Sequence, residues 1–472
     1  MVSAAGKAAR RWLLLSHRWL GIGTALLFTL WIGSGLIMLY VPFPSLSRAD
    51  TLARLAPLDW DRVRIGPDAA MAGVGPVDAA SGLRLDMRDG APVYRFARPD
   101  GARITVSAET GEKLGLVSAD SARRIAGGGE FKSVERDQWT VTARYDPLRP
   151  FIKVFAGDPD GTETYVSVAT GEIALVTTRW QRGWNWAGSV IHWVYLTPLR
   201  AAPEAWRQVV LWLSGAASLA AITGIVIGIW RMRLRRRYRG GAVSPYRGLA
   251  LWHHAFGLVG GAALIGFIVS GWLSMNPNRW FSSLTPPATM RATYAGTPGP
   301  VGLSPTDLRD SGGPSLTLMR FASIGGRWFV IREMRDGPQA TGLDASAIEA
   351  AAHVSGGRLV SVERLPAYDA YWYPQGDERP LPVLRLIFDD PAATWLHVDP
   401  RDGTLLNRLD RSGRINRWLF SAPHRLDVPG LTLRPSARQA SQWLLNLLCG
   451  GIALTGLVAG ARRLARSRTP RP

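Results

Sequence analysis

LALWHHAFGLVGG, residues 249–261, sets His253 and His254 at the head of an apolar run that continues to Met275. About 20 apolar residues in a helix cross a hydrocarbon core of about 30 Å. An ionisable side chain inside such a run is costly to bury and is by default a functional candidate. Three more runs share this character: Trp19 to Val41, Val209 to Trp230, and Trp443 to Gly460, the last reaching spanning length if it begins near Ala440. The first is too long for the apolar core of a typical secretory signal and reads as an uncleaved anchor. The expected architecture is an integral membrane, α-helical bundle of four transmembrane helices.

Charge sets the expected orientation. The chain of 472 residues carries a formal charge of +20, almost all of it from Arg, since there are only four Lys. Arg10 and Arg11 precede the first run, RMRLRRRYR (231–239) separates the second from the third, and ARRLARSR (461–468) follows the fourth. Basic residues flanking apolar runs mark the cytoplasmic side, so this charge is read as membrane topology and not as a nucleic-acid surface. The expected order is a cytoplasmic N-terminus (1–11), a first span (12–41), a periplasmic domain (42–206), a second span (207–230), an Arg-rich cytoplasmic loop (231–247), a third span (248–275), a second periplasmic domain (276–439), a fourth span (440–460) and a cytoplasmic tail (461–472). Together with the single cysteine, Cys449, this reads as a multi-pass protein of a bacterial inner membrane. One cysteine excludes an internal disulfide framework and any CxxC pair, and it is expected to pack as a small apolar residue. With no CxxCH motif, covalently attached haem is not expected.

The stretch at 249–261 has a counterpart. SHRWLG (16–21) and HHAFGL (253–258) both give H-x-x-x-G at an offset of 236, and Ser34-Gly35 falls on Ser270-Gly271 at the same offset. An offset of 232 carries Pro150 onto Pro382, Asp158-Pro159 onto Asp390-Pro391, Gly171 onto Gly403, and the motif W-x-x-S-x-x-H from Trp186–His192 onto Trp418–His424. The second and fourth runs share R-Q-x-x-x-W-L and T-G, with Thr223-Gly224 on Thr455-Gly456. The chain therefore reads as an internal parallel duplication with a pseudo-twofold axis along the membrane normal. The soluble parts read as α+β. ARITVSAETGEKL (102–114), ETYVSVATGEI (163–173) and TWLHVDPRDGTLL (394–406) are expected strands and turns. ASAIEAAAHVSGG (345–357) is an expected helix with a Gly cap, and 285–305 an expected connecting loop.

The same offsets sort the seven histidines. His17 matches His253 and His192 matches His424, whereas His353 and His397 have no partner and read as ordinary polar residues. Two imidazoles related by the axis approach one point from opposite sides, which suits the two axial positions of a b-type haem in an apolar slot. Gly21, Gly23, Gly35, Gly257, Gly260, Gly261 and Gly271 are expected to make room for a flat macrocycle. Zinc needs four ligands, or three and water, and no Cys or carboxylate lies nearby in the membrane runs. His254 sits about 100° around the helix from His253. It matches Arg18, and is left as an alternative or secondary ligand beside a contact to a propionate or a headgroup.

These motifs resemble the PepSY-associated transmembrane helix family, bacterial iron-regulated inner-membrane proteins that include reductases of the ferric-siderophore type. The resemblance covers essentially the whole chain. It implies two PepSY-like periplasmic domains and two b haems per chain, held by His17 with His253 on the cytoplasmic side and by His192 with His424 on the periplasmic side. It further implies electron transfer to a ferric siderophore or another periplasmic Fe(III) acceptor, an oxidoreductase activity. No G-x-G-x-x-G follows a strand, so the electron donor is external, a quinol or a cytoplasmic reductase. Two other classes compete with this reading: a non-enzymatic PepSY-type binding or regulatory protein with structural histidines, and a metal transporter. The latter requires charged residues in the helix interiors, which the runs from Gly21 to Leu39 and from Leu258 to Leu273 lack.

Overall fold

A computed structural model describes residues 4–334, 337–375 and 379–468. Among them, four helices are long and apolar enough to cross a membrane: α1 (Ala4–Met38), α2 (Pro203–Arg231), α3 (Leu249–Ser274) and α4 (Pro435–Arg468). Each extends beyond or close to the limits of its apolar run. Pro203 and Pro435 open α2 and α4, at a position where the missing N–H costs nothing. The tail expected after Gly460 continues α4 as helix through Arg468, and residues 469–472 lie outside the described residues.

The helices close a ring in which α1 and α3 each pack against both α2 and α4. Its centre holds Phe28, Trp31, Ile32, Ala217, Ala220, Leu264, Ile268, Cys449 and Ala453. Small residues bring the backbones together: a side chain on Gly261 would meet Ile225, one on Gly260 would meet Leu448, and one on Gly451 would meet the Phe256 ring. The outside is apolar as well, with Trp12, Trp19, Leu26, Trp212, Leu219, Val259, Leu447 and Leu454 exposed. A bundle that is apolar on both faces is suited to lipid.

Both long connections leave the same end of the bundle, here called the sheet end; the opposite end is the far end. Among the described residues, three antiparallel sheets follow. Strands β4 (Glu130–Val134), β5 (Phe151–Phe155), β6 (Glu163–Ser167) and β7 (Ile173–Thr177) form one, and β11 (Leu359–Leu365), β12 (Val383–Phe388), β13 (Trp395–Val398) and β14 (Leu405–Leu409) another. The third draws on both connections, in the order β10-β9-β8-β1-β2-β3. Here β1 is Leu83–Arg88, β2 Ala91–Ala97, β3 Arg103–Ser107, β8 Leu318–Ile324, β9 Arg327–Met334 and β10 Gly337–Ala340. The two connections thus share a six-stranded sheet, and the core beneath it mixes Leu83, Tyr94 and Phe96 with Leu308, Met319 and Phe321.

The junction of β1 with β8 is self-complementary. Leu83 faces Phe321, Arg84 faces Arg320 and Leu85 faces Met319. Since 83 and 85 shift to 319 and 321 at an offset of 236, each pair maps onto the other, as in an isologous contact. Arg320, Arg84 and Arg95 lie side by side across three strands, an arrangement that needs counter-charge. Glu172 pairs with Arg84, Asp86 with Arg95 (2.8 Å), and Glu333 and Asp402 with Arg320 (2.5 and 2.6 Å). Arg84, Arg95, Arg320, Glu172 and Asp402 border a cavity of 280 Å³ between the sheet and the turns at Thr170–Glu172 and Asp402–Thr404. The cavity is the ion-paired seam between sheet layers.

Two local expectations need correction. The segment expected as loop between 285 and 305 contains a helix, Ala288–Ala295, because Pro287 starts it and Tyr294 and Ala295 are buried. The helix at Ala345–Ala351 ends on extended Ala352 before any glycine, which leaves His353 in exposed coil. Gly357 is small for another reason, since the Asp390 backbone passes 2.8 Å from where its Cβ would stand.

Candidate functional site

His17 and His253 meet at the far end with ring centres 6.4 Å apart and planes tilted by 36°. His192 and His424 meet at the sheet end at 6.1 Å and 64°. An imidazole nitrogen lies about 1.1 Å from the ring centre and a metal–imidazole bond is about 2 Å, so two rings sharing one ion stand with centres about 6 to 6.5 Å apart. Both pairs match that span.

All four rings are held in the same way. His17 Nδ1 donates to the Ala220 carbonyl (3.1 Å), and His253 Nδ1 lies 3.0 Å from the Thr455 hydroxyl and within reach of the Ile452 carbonyl. His192 Nδ1 donates to the Trp31 carbonyl (3.1 Å) beside Ser34 (3.2 Å), and His424 Nδ1 to the Phe267 carbonyl (3.0 Å) beside Ser270 (3.0 Å). The carbonyl partners match at an offset of 232 (Ala220 with Ile452) or 236 (Trp31 with Phe267), as do Ser34 and Ser270, whereas the Thr455 hydroxyl has no equivalent at His17, since Thr223 bonds within its own helix. Binding Nδ1 to a carbonyl fixes the tautomer and leaves Nε2 as the free lone pair, as metal-ligating histidines require.

A glycine on the neighbouring helix backs each ring. A Cβ on Gly224 would stand 2.8 Å from His17 Cε1, and one on Gly456 3.2 Å from His253 Cε1. Gly35 and Gly271 stand in the same relation to His192 and His424, both at 3.3 Å. The T-G and S-G repeats are therefore the cradles of the four rings. Gly35 and Gly271 were expected to be near the site. Gly224 and Gly456 were legible as a repeat but not as ring contacts, since only packing shows which helix each ring touches. Gly260 instead admits Leu448 of α4, while Gly261, close to Ile225 of α2, also lines the cavity at the far end.

The far-end pair projects from straight helices into a cavity of 450 Å³, lined by Gly21, Gly257 and other small and apolar residues, with Arg18 and Arg463 on its border. That is the size of a small-molecule or cofactor pocket. The sheet-end pair is built differently. Single π-helical turns, Trp186–Val190 and Arg417–Ser421, precede the short helices Ile191–Trp193 and Ala422–Arg425 that carry His192 and His424. Each helix is capped by a left-handed residue, Val194 or Leu426, both at φ 54°. A β-branched or bulky residue there is strained, and such strain, like π turns, gathers at functional sites. On α1 the two levels are 14 to 17 residues apart, about 21 to 26 Å.

His254 belongs to neither pair. Its Nδ1 is 2.8 Å from the Ser244 hydroxyl, its Nε2 donates to the Gly228 carbonyl (2.9 Å), and Tyr246 packs on the ring at 5.2 Å. Both nitrogens are engaged in tying the 232–248 connection to α2. His397 is buried within its sheet and His353 is exposed. Among the described residues, no group of three His, Cys, Asp or Glu is placed to hold a metal ion. The indole N–H of Trp31 and the hydroxyl of Ser189, next to the sheet-end pair, are buried without a hydrogen-bond partner among the described residues. Trp180, Trp184, Trp186 and Trp280 are exposed, while Trp193 and Trp206 pack on Tyr195.

Comparison with known proteins finds no matching family model, no matching curated protein and no matching solved structure.

Proposed function

We propose that the chain is a transmembrane di-haem b electron-transfer protein of the PepSY-associated type, arisen by internal duplication. In this reading it sits in a bacterial inner membrane and reduces ferric siderophore in the periplasm, so that Fe(II) is released for uptake. The observation that carries the proposal is the pair of bis-histidine sites, alike in ring spacing, Nδ1 partner and glycine cradle. His17 with His253, and His192 with His424, would hold the two haems, each of which supplies a one-electron iron couple when bound. The carbonyls of Ala220, Trp31, Ile452 and Phe267 accept from Nδ1–H, which fixes the ring orientation and leaves Nε2 as the ligating nitrogen aimed across the axis. The apolar bundle centre keeps water out between the two levels. A siderophore holds Fe(III) through hard oxygen donors, so one electron delivered at the sheet end weakens the complex. The donor at the far end, a quinol or a cytoplasmic reductase, is external to the chain.

The test is spectral. Purified protein should show a dithionite-reduced b-type α-band and two haems per chain by pyridine haemochrome. Absence of the band sinks the proposal and leaves the non-enzymatic binding reading. Given the band, oxidation of the reduced protein by a ferric siderophore, read as bleaching of the α-band with Fe(II) captured by a chelator, tests the acceptor.

A further inference from the structure

The far-end cavity matches across the axis in His17 with His253 and in Gly21 with Gly257, Gly224 with Gly456 and Gly228 with Gly460, but not in its charges. Arg18 and Arg463 both border it, on α1 and α4, which pack against each other. Among the described residues neither makes an ion pair with a carboxylate. Their counterparts at offsets of 236 and 232 are His254 and Arg231, on the opposite seam between α3 and α2. His254 is bound to Ser244 and Gly228, and the Arg231 guanidinium lies over the Trp230 ring at 4.9 Å. One seam therefore presents two guanidiniums without a carboxylate partner to the cavity, whereas on the other His254 is hydrogen-bonded to the protein and Arg231 does not line the cavity.

Helix geometry aims the two cations at one place. Gly456, Gly460 and Arg463 follow at i, i+4 and i+7 and share a face of α4. Arg463 thus lies about 10 Å beyond the glycine that backs His253. Side chains lean toward the N-terminus of their helix. Arg463 therefore leans back into the cavity, while Arg18, on the antiparallel α1, leans toward the far-end mouth.

We propose that the far-end cavity binds its occupant in one orientation, with the occupant's carboxylates held by Arg18 and Arg463 at the α1–α4 seam. This rests on the haem reading above: the carboxylates are the two propionates of iron protoporphyrin, for which a guanidinium is a bidentate partner. Lipid phosphate carries the same chemistry, and the experiment separates the two sources.

Protein carrying His192→Ala, which leaves only the far-end pair intact, is stripped of haem. It is then titrated in neutral-lipid nanodiscs with iron protoporphyrin and with its dimethyl ester. The expected result is binding of the free acid at least tenfold tighter than of the diester. Arg18→Gln with Arg463→Gln should abolish that preference, Arg231→Gln should leave it unchanged, and Arg18→Lys with Arg463→Lys should restore part of it. Equal binding of acid and diester overturns the inference and assigns the two cations to lipid headgroups. A preference that survives the double Gln variant overturns it as well. The haem reading fails separately, if this protein binds neither compound or if adding His17→Ala leaves binding unchanged.

Discussion

In the sheet of β4–β7, the Tyr165 hydroxyl donates to Asp137 (2.6 Å), Lys153 bridges Asp137 and Glu163 (3.3 and 2.6 Å), and Arg182 adds to Glu163 (3.2 Å). At an offset of 232, in the sheet of β11–β14, the corresponding residues are His397, Asp369, Arg385, Trp395 and Arg414. There Arg385 donates to His397 Nε2 (2.9 Å) and to Asp369 (2.7 Å), His397 stacks on Trp372 at 4.8 Å, and Arg385 and Arg414 lie over the Trp395 ring. Matching positions keep a half-buried acid and a cation but exchange almost everything around them. The histidine pairs in the bundle keep the imidazole, its carbonyl partner and its backing glycine in both halves. The difference follows from where the partners come from. A buried group in a four-stranded sheet finds its partners within its own half, so one half can be rebuilt without reference to the other. A ring on the axis has its partner in the other half, and a change on one side leaves the other ring without a counterpart.

Single substitutions on the axis should therefore have the largest effect. His17→Ala or His253→Ala should each remove the same haem, and His192→Ala or His424→Ala the other, lowering pyridine haemochrome from two per chain to one. Unchanged content in any of the four would break the pairing. The cradles should follow in order of closeness. Gly224→Ala, with its Cβ 2.8 Å from His17, should displace that ring and cost the far-end haem tenfold or more in affinity. Gly456→Ala (3.2 Å) and Gly35→Ala or Gly271→Ala (3.3 Å) should cost less, as haem titration of stripped protein would show.

The sheets should respond in stability alone. Burial, and then the neighbouring Arg385, push the His397 pKa down to about 3, from 6.5 for a free histidine. Between those values the unfolded chain binds the proton and the folded chain does not, so stability falls as pH drops from about 6.5 toward 3. His397→Tyr, the residue found at the matching position, should flatten that slope in thermal unfolding scans at pH 7 and 4.5 while haem content stays at two. The smallest effect is expected for His254→Ala. It deletes two buried hydrogen bonds, should cost about 1–3 kcal/mol of stability, and should leave both haems in place. Loss of a haem in this variant would reopen the choice between His253 and His254.

The sequence made the four apolar helices and the histidine pairings legible because both depend on spacing: length sets a span, and a constant offset sets a match. The six-stranded sheet was not legible. Its central pairing of β1 with β8 joins residues more than 200 positions apart, and nothing local in either strand marks the other as its neighbour. Gly224 and Gly456 were visible as a repeated T-G but had no assigned role, since ring contact depends on the rotation of α2 and α4 about their own axes. The helix at Ala288–Ala295 was hidden by the Pro and Gly around it, and is held by burial of Tyr294 and Ala295 against the sheets.

The doublet at 253 and 254 marks the boundary between these two kinds of information. The sequence by itself determined that one of the two histidines matches His17, because an offset is a property of order along the chain. Only the tertiary structure decided what the other does. Adjacent helix residues point about 100° apart, so His253 faces the axis and His254 faces the end of α2. There Ser244 and the Gly228 carbonyl, brought together by the fold of the 232–248 connection, take both of its nitrogens.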